Sequence, residues 1–327
     1  MRFPLADWID AHPECRFDLG TSGMRGSIPA PKWPVREPPA SVAEELRSEL
    51  ADHLGVARER LFLSHGASEA NAWVLGFLAR EGVRRGGAVR ARVRLPEYPP
   101  LYDAAAALGF AVDGGRRPAS VAIVSNPRNP EGDLWTSDTL RRFAEGCRAL
   151  LVDETFREFV GSPSIAARPE RRTWATGTFT KFFGADDVRV GFAVAPPEAV
   201  ARFDRYVGLL SDKVAPRSLG AALTLLRDLP RIRLRVGAVV ERNLRALTAA
   251  IPGVVTPAAP VHFDRPGGWS GDALAQACLR RSVLVASGSF FGAREGVRLC
   301  LTRRNAPEGL RRYAAVRGRR SARAGEL

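Results

Sequence analysis

The sequence predicts an α/β protein, a mainly parallel sheet with helices on both faces joined to a smaller α+β unit. Three observations predict it. Short apolar runs alternate with helical stretches between about residues 42 and 212. Those runs are apolar throughout rather than alternating, as strands buried on both faces of a parallel sheet are. After Pro216 the alternation gives way to a long helical stretch followed by short strands. The length, 327 residues, suits about two domains: residues 35–215 as a large α/β domain, and 1–34 with 216–327 as a small α+β domain.

Each element has its own warrant. Within Val42–Leu54, Leu46, Leu50 and Leu54 fall four apart and share one helix face. A second helix over 68–80 begins just after His65-Gly66-Ala67. Strands are expected at 121–124, 150–152, 173–179 and 190–194, each bounded by Pro, Gly or Asp, with helical crossovers such as 137–148 between them. Beyond Pro216 one helical stretch runs through 219–226 and past Arg231 to Ala249. Strands at 253–255 and 261–263, a helix over 272–280, and strands at 283–286 and 296–301 complete the smaller unit. The first 30 or so residues have no partner of their own and should pack against it. There is no internal repeat and no low-complexity segment.

Composition narrows the function classes. Hydrophobic residues make up 45% and charged residues 26%, which argues against a disordered, fibrous or disulfide-scaffold protein. No stretch approaches the roughly 20 apolar residues of a membrane helix. The N-terminus meets charge too early for a signal peptide, so a cytoplasmic protein with no membrane partner is expected. The net charge of +14 invites a nucleic-acid reading. However, of 49 basic residues only Lys32, Lys181 and Lys213 are lysines, and the 46 arginines scatter along the chain as genome bias would place them. The densest run, 303–323, lies at the C-terminus, with no basic stripe interleaved with aromatics. Cys15, Cys147, Cys278 and Cys300 form no CxxC pair, and the four histidines show no ligand spacing. Packed thiols in a reducing compartment are expected, and no metal.

In an open parallel sheet, ligands bind at the carboxyl ends of the strands, and the notable residues of this chain collect there. The strand over 121–124 runs into Ser125-Asn126-Pro127-Arg128-Asn129-Pro130, that over 150–152 into Asp153-Glu154-Thr155-Phe156, and that over 173–179 into Thr180-Lys181. Singly these read as a turn, a helix cap and a solvated charge. Together with SHGASEA at 64–70, PEYPPLY at 96–102 and FFGAREGVRLCLT at 290–302, they form six collinear motifs. In that order and spacing the chain, over about residues 18–314, resembles the class I/II aminotransferases. These are pyridoxal 5′-phosphate (PLP) enzymes of fold type I. The compact branch that includes histidinol-phosphate aminotransferases and threonine-phosphate decarboxylases fits best.

The resemblance implies roles residue by residue. Lys181 matches the lysine that forms a Schiff base with the cofactor aldehyde and moves the substrate proton. Asp153 matches the carboxylate that keeps the pyridine nitrogen protonated, so that the ring stays an electron sink. Asn129 matches the asparagine that donates to the ring 3-oxygen and helps hold the substrate carboxylate, and Tyr98 the aromatic that stacks on the ring. Gly66-Ala67-Ser68 matches the phosphate turn at a helix N-terminus. Arg189, eight residues after Lys181, matches the phosphate arginine, and Thr178 and Thr180 stand where two serines are usual. Arg298 matches the arginine that clamps the substrate α-carboxylate.

Three departures matter. Phe156 replaces the usual tyrosine, so the bound chromophore should hold its proton more tightly. Asp187 stands where glycine is common, close enough in sequence to Arg189 to compete with phosphate or buttress the arginine. The tyrosine that commonly reaches the neighbouring subunit's phosphate is missing; before Leu46-Arg47 there is only Arg36-Glu-Pro-Pro39. The expectation is a PLP-dependent aminotransferase that acts on an α-amino acid and a 2-oxo acid as a homodimer. The rivals are a decarboxylase, lyase or oxidase on the same fold, and a non-catalytic basic nucleic-acid-binding protein.

Overall fold

The computed structural model describes residues 4–84, 89–115, 118–168 and 172–318. Helix α1 (Pro4–Asp10) and the two-residue strand β1 (Phe17–Asp18) precede α2 (Val42–Leu54). Strand β2 (Leu61–Ser64) leads through a tight turn into α3 (Ala67–Arg84). Then follow β3 (Arg90–Val93), α4 (Pro99–Ala107), β4 (Ala111–Asp113), β5 (Ala119–Ser125), α5 (Ser137–Phe143) and β6 (Cys147–Asp153). The one-turn α6 (Arg157–Val160), β7 (Thr173–Thr178), β8 (Gly191–Val194) and α7 (Val200–Val207) come next. After them come α8 (Pro216–Arg227), α9 (Leu229–Ala250), β9 (Val261–Asp264) and α10 (Gly271–Leu279). The last elements are β10 (Val283–Leu284), β11 (Ala286–Ser287), β12 (Val297–Cys300) and α11 (Ala306–Arg317).

Seven strands form the central sheet in the order β2-β8-β7-β6-β5-β3-β4. Strands β4, β3, β5, β6 and β7 run parallel, and β8 is antiparallel to both its neighbours. The sequence reading took 190–194 as one more parallel strand. The connection 179–190 carries no crossover helix, so the chain returns antiparallel. One face of the sheet is sealed by α2, α8 and α9, where Leu46, Leu50, Leu219, Ile232 and the phenylalanines of 179–183 pack together. The other face is sealed by α3, α4 and α7 through Trp73, Leu101 and a cluster of Phe77, Trp174 and Phe203, whose rings meet edge to face or tilted at 4.8–5.6 Å. Each such buried aromatic stabilises by roughly 1.5–3 kcal/mol relative to exposure. This is why the strand ends above it can hold side chains in fixed positions.

The three-stranded antiparallel sheet β11-β12-β9 packs with α10 and α11 around Leu274, Val297, Leu299, Leu310 and Tyr313. The N-terminal segment joins this core: β1 pairs in parallel with β10, and Phe17 and Leu19 are buried in it. No helix among the described residues is long and apolar enough to cross a membrane. The four cysteines are free thiols.

Several element boundaries differ from the sequence reading. The helix expected over 137–148 stops at Phe143; Gly146, at φ +73°, turns the chain, and Cys147 and Arg148 already belong to β6. The long stretch after Pro216 is two helices broken at Asp228, because Pro230 cannot continue α8 but suits the first turn of α9. Residues 253–255 form no strand, and Val255 is 84% exposed. The run 283–286 divides into β10 and β11, which belong to different sheets. Strands β2, β3 and β4 were not anticipated. The end of the basic run 303–323, beyond residue 318, lies outside the described residues.

Candidate active site

The parallel register sets Ser125 of β5 beside Asp153 of β6, and Asp153 beside Thr176 of β7. Their carboxyl ends open onto one cavity of about 540 Å³. Ala67, Ser68, Tyr98, Asn129, Asp153, Thr178, Thr180, Lys181 and Arg189 all line it. Arg298 stands one layer behind.

One end of the cavity is built for an anion. Gly66, at φ +119°, turns β2 into α3, so the first amides of an 18-residue helix face the cavity with the positive end of its dipole. The turn lies directly on β8: a Cβ at Gly191 would sit 2.5 Å from the Gly66 carbonyl carbon and 2.7 Å from the Gly177 oxygen. Only glycine at 191 permits this approach. Arg189 takes a left-handed backbone, φ +52°, and its Nη2 donates to the His65 carbonyl at 3.2 Å, which holds the guanidinium against the turn. Thr178 Oγ1 lies 3.3 Å from both the Oγ1 and the amide of Thr180. Glu69 accepts from the His65 amide at 2.7 Å and from Ser211 Oγ at 2.8 Å, fixing the first turn of α3.

Lys181 enters from the turn after β7. Its carbonyl accepts from the Met24 amide at 2.8 Å, and Gly23 leaves room for its side chain, where a Cβ would lie 3.3 Å from Lys181 Cδ. The N-terminal segment therefore covers the lysine. Burial pushes its ammonium below the usual range; Asp186 opposes the shift, and the like charges of Arg298 and Arg189 add to it. Asp153 ends β6 with Oδ1 accepting from the Thr155 amide at 2.8 Å and Oδ2 from Asn71 Nδ2 at 2.9 Å. Asn71 is itself held by Thr176 Oγ1 at 2.6 Å. Burial, and then the charge of Asp153, push the Tyr98 phenol up to about 12, so it stays neutral.

Arg298 does not reach the cavity wall. Its Nη1 donates to Asn129 Oδ1 at 3.0 Å, its Nη2 to the Gly20 carbonyl at 2.6 Å, and Phe291 lies under its guanidinium at 4.8 Å. Its Nε is buried with no hydrogen-bond partner among the described residues. Phe156 lines the cavity and packs against Val261, Cys300 and Phe159. The expectation that Asp187 would act on Arg189 finds no contact to support it: Asp187 pairs with Arg25 at 3.1 Å on the surface. Asp186 is the carboxylate that faces inward.

Asn71, Ser22 and Asp186 also line the cavity and were given no role by the sequence reading, which noted Ser125 only as part of a strand end. Asn71 had a usable signal, since a polar residue in an apolar helix, three and four positions after Ser68 and Ala67, shares their face. Among the described residues no group of three or more His, Cys, Asp or Glu could hold a metal ion.

The model of the family "Aminotransferase class I and II" matches residues 102–312. An aromatic amino acid aminotransferase of Mycobacteroides abscessus is 28% identical over 287 residues, covering 79% of this chain and 78% of that protein. A histidinol-phosphate aminotransferase of Thermoanaerobacter sp. is 26% identical, covering 79% and 77%. Among solved structures, a PLP-dependent aminotransferase from Streptococcus suis superposes with a TM-score of 0.78 at 18% identity over 97% of both chains. The PLP-dependent cyclase OrfR superposes with a TM-score of 0.75 at 22% identity over 97% of this chain and 98% of that one. The residues present fit PLP: an anion cradle closed by Arg189, a desolvated amine, and a held carboxylate surround one cavity. The chain belongs to the class I and II aminotransferase family, and its cofactor is pyridoxal 5′-phosphate.

Proposed function

We propose that the chain moves an amino group between an α-amino acid and a 2-oxo acid, with Lys181 as covalent anchor and proton carrier. The observation that carries this reading is the convergence of Lys181, Asp153 and the Gly66 turn with Arg189 on one cavity. When bound, PLP supplies a carbonyl that condenses with amines and a ring that takes up electrons from the substrate α-carbon.

The lowered basicity of Lys181 favours the neutral amine, the form that attacks a carbonyl. With PLP and the amino donor bound, the Lys181 Nζ would be the base that takes and returns the substrate α-proton. Asp153, held by Asn71 and the Thr155 amide, keeps the ring nitrogen protonated. Tyr98 and Asn129, both on the cavity wall, would stack on the ring and donate to its oxygen. Ala67, Ser68, Thr178, Thr180 and Arg189 bind the phosphate. Arg298 and Asn129 would receive the substrate carboxylate, a reading supported by the hydrogen bond that joins Arg298 to the cavity-lining Asn129. The relatives are named for aromatic amino acids and for histidinol phosphate; the donor proposed here carries an α-carboxylate because Arg298 stands ready for one.

Residues 35–215 are read as the large cofactor-binding α/β domain, and 1–34 with 216–327 as the small α+β domain. A homodimer is supported by Leu209 and Leu210, 77% and 55% exposed, next to the Ser211 that holds the phosphate turn through Glu69. The free thiols support a reducing, cytoplasmic setting. The test is to incubate PLP-loaded protein with single amino acids and follow the cofactor spectrum. Conversion to the pyridoxamine form, reversed by a 2-oxo acid, is expected. Release of carbon dioxide or peroxide without that conversion would overturn the reading in favour of a decarboxylase or oxidase.

A further inference from the structure

Glu97 is 0% exposed and does not line the cavity, yet every hydrogen bond its carboxylate makes ends on a residue that does. Its Oε1 accepts from Ser125 Oγ at 2.6 Å and from the Tyr98 amide at 2.7 Å. Its Oε2 accepts from the Ser125 amide at 2.9 Å. Ser125 Oγ, whose own proton goes to Glu97, is thereby oriented to accept from the Asn129 amide at 2.8 Å. Asn129 Oδ1 in turn accepts from Arg298 Nη1 at 3.0 Å. The main chain at Glu97 also touches a neighbour of the same guanidinium. The Glu97 amide donates to the Phe291 carbonyl at 3.2 Å, and the Phe291 ring lies 4.8 Å below Arg298.

We propose that Glu97 is a positioning residue that sets the place of the substrate-carboxylate clamp, acting on Arg298 through Ser125 and Asn129. The inference rests on the reading of Arg298 and Asn129 as carboxylate receptors. An anchor at this point has to accept hydrogen bonds only, because all three groups turned toward it are donors. A carboxylate meets that requirement; an amide presents an NH₂ to at least one of them in either orientation. The cation that faces Glu97 is Arg128, fully buried, stacked on Trp135 at 4.7 Å and held by the Pro96 carbonyl at 2.6 Å. Burial pushes the Glu97 carboxyl up to about 7 even so, against the pull of Arg128 and the three donors. Arg128 and the three donors are what favour the ionised form against that burial.

The test compares Glu97→Gln with Ser125→Ala, their double variant, and Arg298→Gln, all as PLP-loaded protein. Binding is read as the cofactor's spectral response to an α-amino acid and, separately, to the corresponding amine that lacks the carboxylate. Glu97→Gln is expected to weaken the amino acid roughly 10- to 100-fold, the scale on which a misplaced anchoring group acts, and to leave the amine within about twofold. The effects of Glu97→Gln and Ser125→Ala are expected to be non-additive, since each breaks the same chain. Equal weakening of amine and amino acid, or additive effects, would make Glu97 a merely structural residue and overturn the inference. If Glu97→Gln binds the amino acid as the parent does while Arg298→Gln does not, the inference fails and the reading of Arg298 stands. If Arg298→Gln itself spares the amino acid, that reading fails and the inference falls with it.

Discussion

Gly191→Ala is the substitution that isolates the phosphate cradle. Gly191 lies in β8 between Ser64 and Thr178 of its neighbours, and the Gly66 turn closes down on it. A Cβ there meets Gly66 backbone atoms at 2.5 and 2.6 Å, where ordinary contact begins near 3.4 Å. Both partners are backbone, so the turn has to retreat by about 1 Å; overpacking of this kind costs about 1–3 kcal/mol. Without cofactor the turn can shift toward solvent and recover much of that cost. With cofactor it cannot, because its amides and Arg189 have to converge on one phosphate. The loss is therefore expected in PLP affinity, about 10- to 100-fold at roughly 1.4 kcal/mol per decade, beside the stability cost of the 2.7 Å contact with the Gly177 oxygen, which retreat of the turn does not relieve. Gly177→Ala is the matched control. Its Cβ would strike the Phe192 ring at 2.4 Å rather than the turn, so it should lower stability and spare affinity. The assay is a titration of cofactor-free protein with PLP followed by absorbance, beside thermal unfolding of each variant. Parent-like affinity in Gly191→Ala, or equal losses in both variants, would refute the reasoning.

Three further outcomes follow from single contacts. Phe156→Tyr restores a phenol at the cavity wall; a hydrogen bond to an ionised ring oxygen is worth about 1.5–3 kcal/mol, so the bound chromophore should release its proton about 1–2 pH units lower in a spectral titration. For Glu158, burial alone would raise the carboxyl, but the hydrogen bond from His53 and the charge of Arg157, aided by Arg233, hold it down to about 2. Its contribution is therefore present above the unfolded value near 4.5 and lost as pH falls through about 2. Urea unfolding should show the stability gap between the parent and Glu158→Gln narrowing by about 2 kcal/mol from pH 7 to pH 3; a constant gap would contradict this. The Arg25–Asp187 pair is 58% and 64% exposed, so Asp187→Ala should change stability by at most about 1 kcal/mol and leave PLP affinity unchanged.

The site was far more legible in the sequence than the sheet that carries it. Asp153, Asn129 and Lys181 sit where apolar strands end, and the chemistry at such ends depends on residue type and spacing, both of which a sequence displays. Strand direction is another matter. The run 190–194 is apolar because β8 is buried on both faces, and burial does not reveal antiparallel pairing. Strand β3, reading Arg-Ala-Arg-Val, buries a charged residue, Arg92, by letting it donate to the Phe143 and Glu145 carbonyls at 2.7 Å. Strand β4 has three residues and an exposed start, too little to carry a period. Arg298 was singled out by its motif alone; its place behind the cavity wall depends on Asn129, Gly20 and Phe291, which lie far apart in sequence. Glu97 drew no attention for a similar reason. A glutamate before a tyrosine reads as surface until β3, β5 and α4 close over it.

The central claim is that Lys181 holds the cofactor. Reducing the PLP-loaded protein with borohydride, digesting it, and locating the pyridoxyl mass by peptide sequencing measures that directly. The label is expected on the peptide containing Lys181 and nowhere else, and absent from Lys181→Ala. A label on Lys32 or Lys213, or a coloured holoenzyme that survives Lys181→Ala, would contradict it.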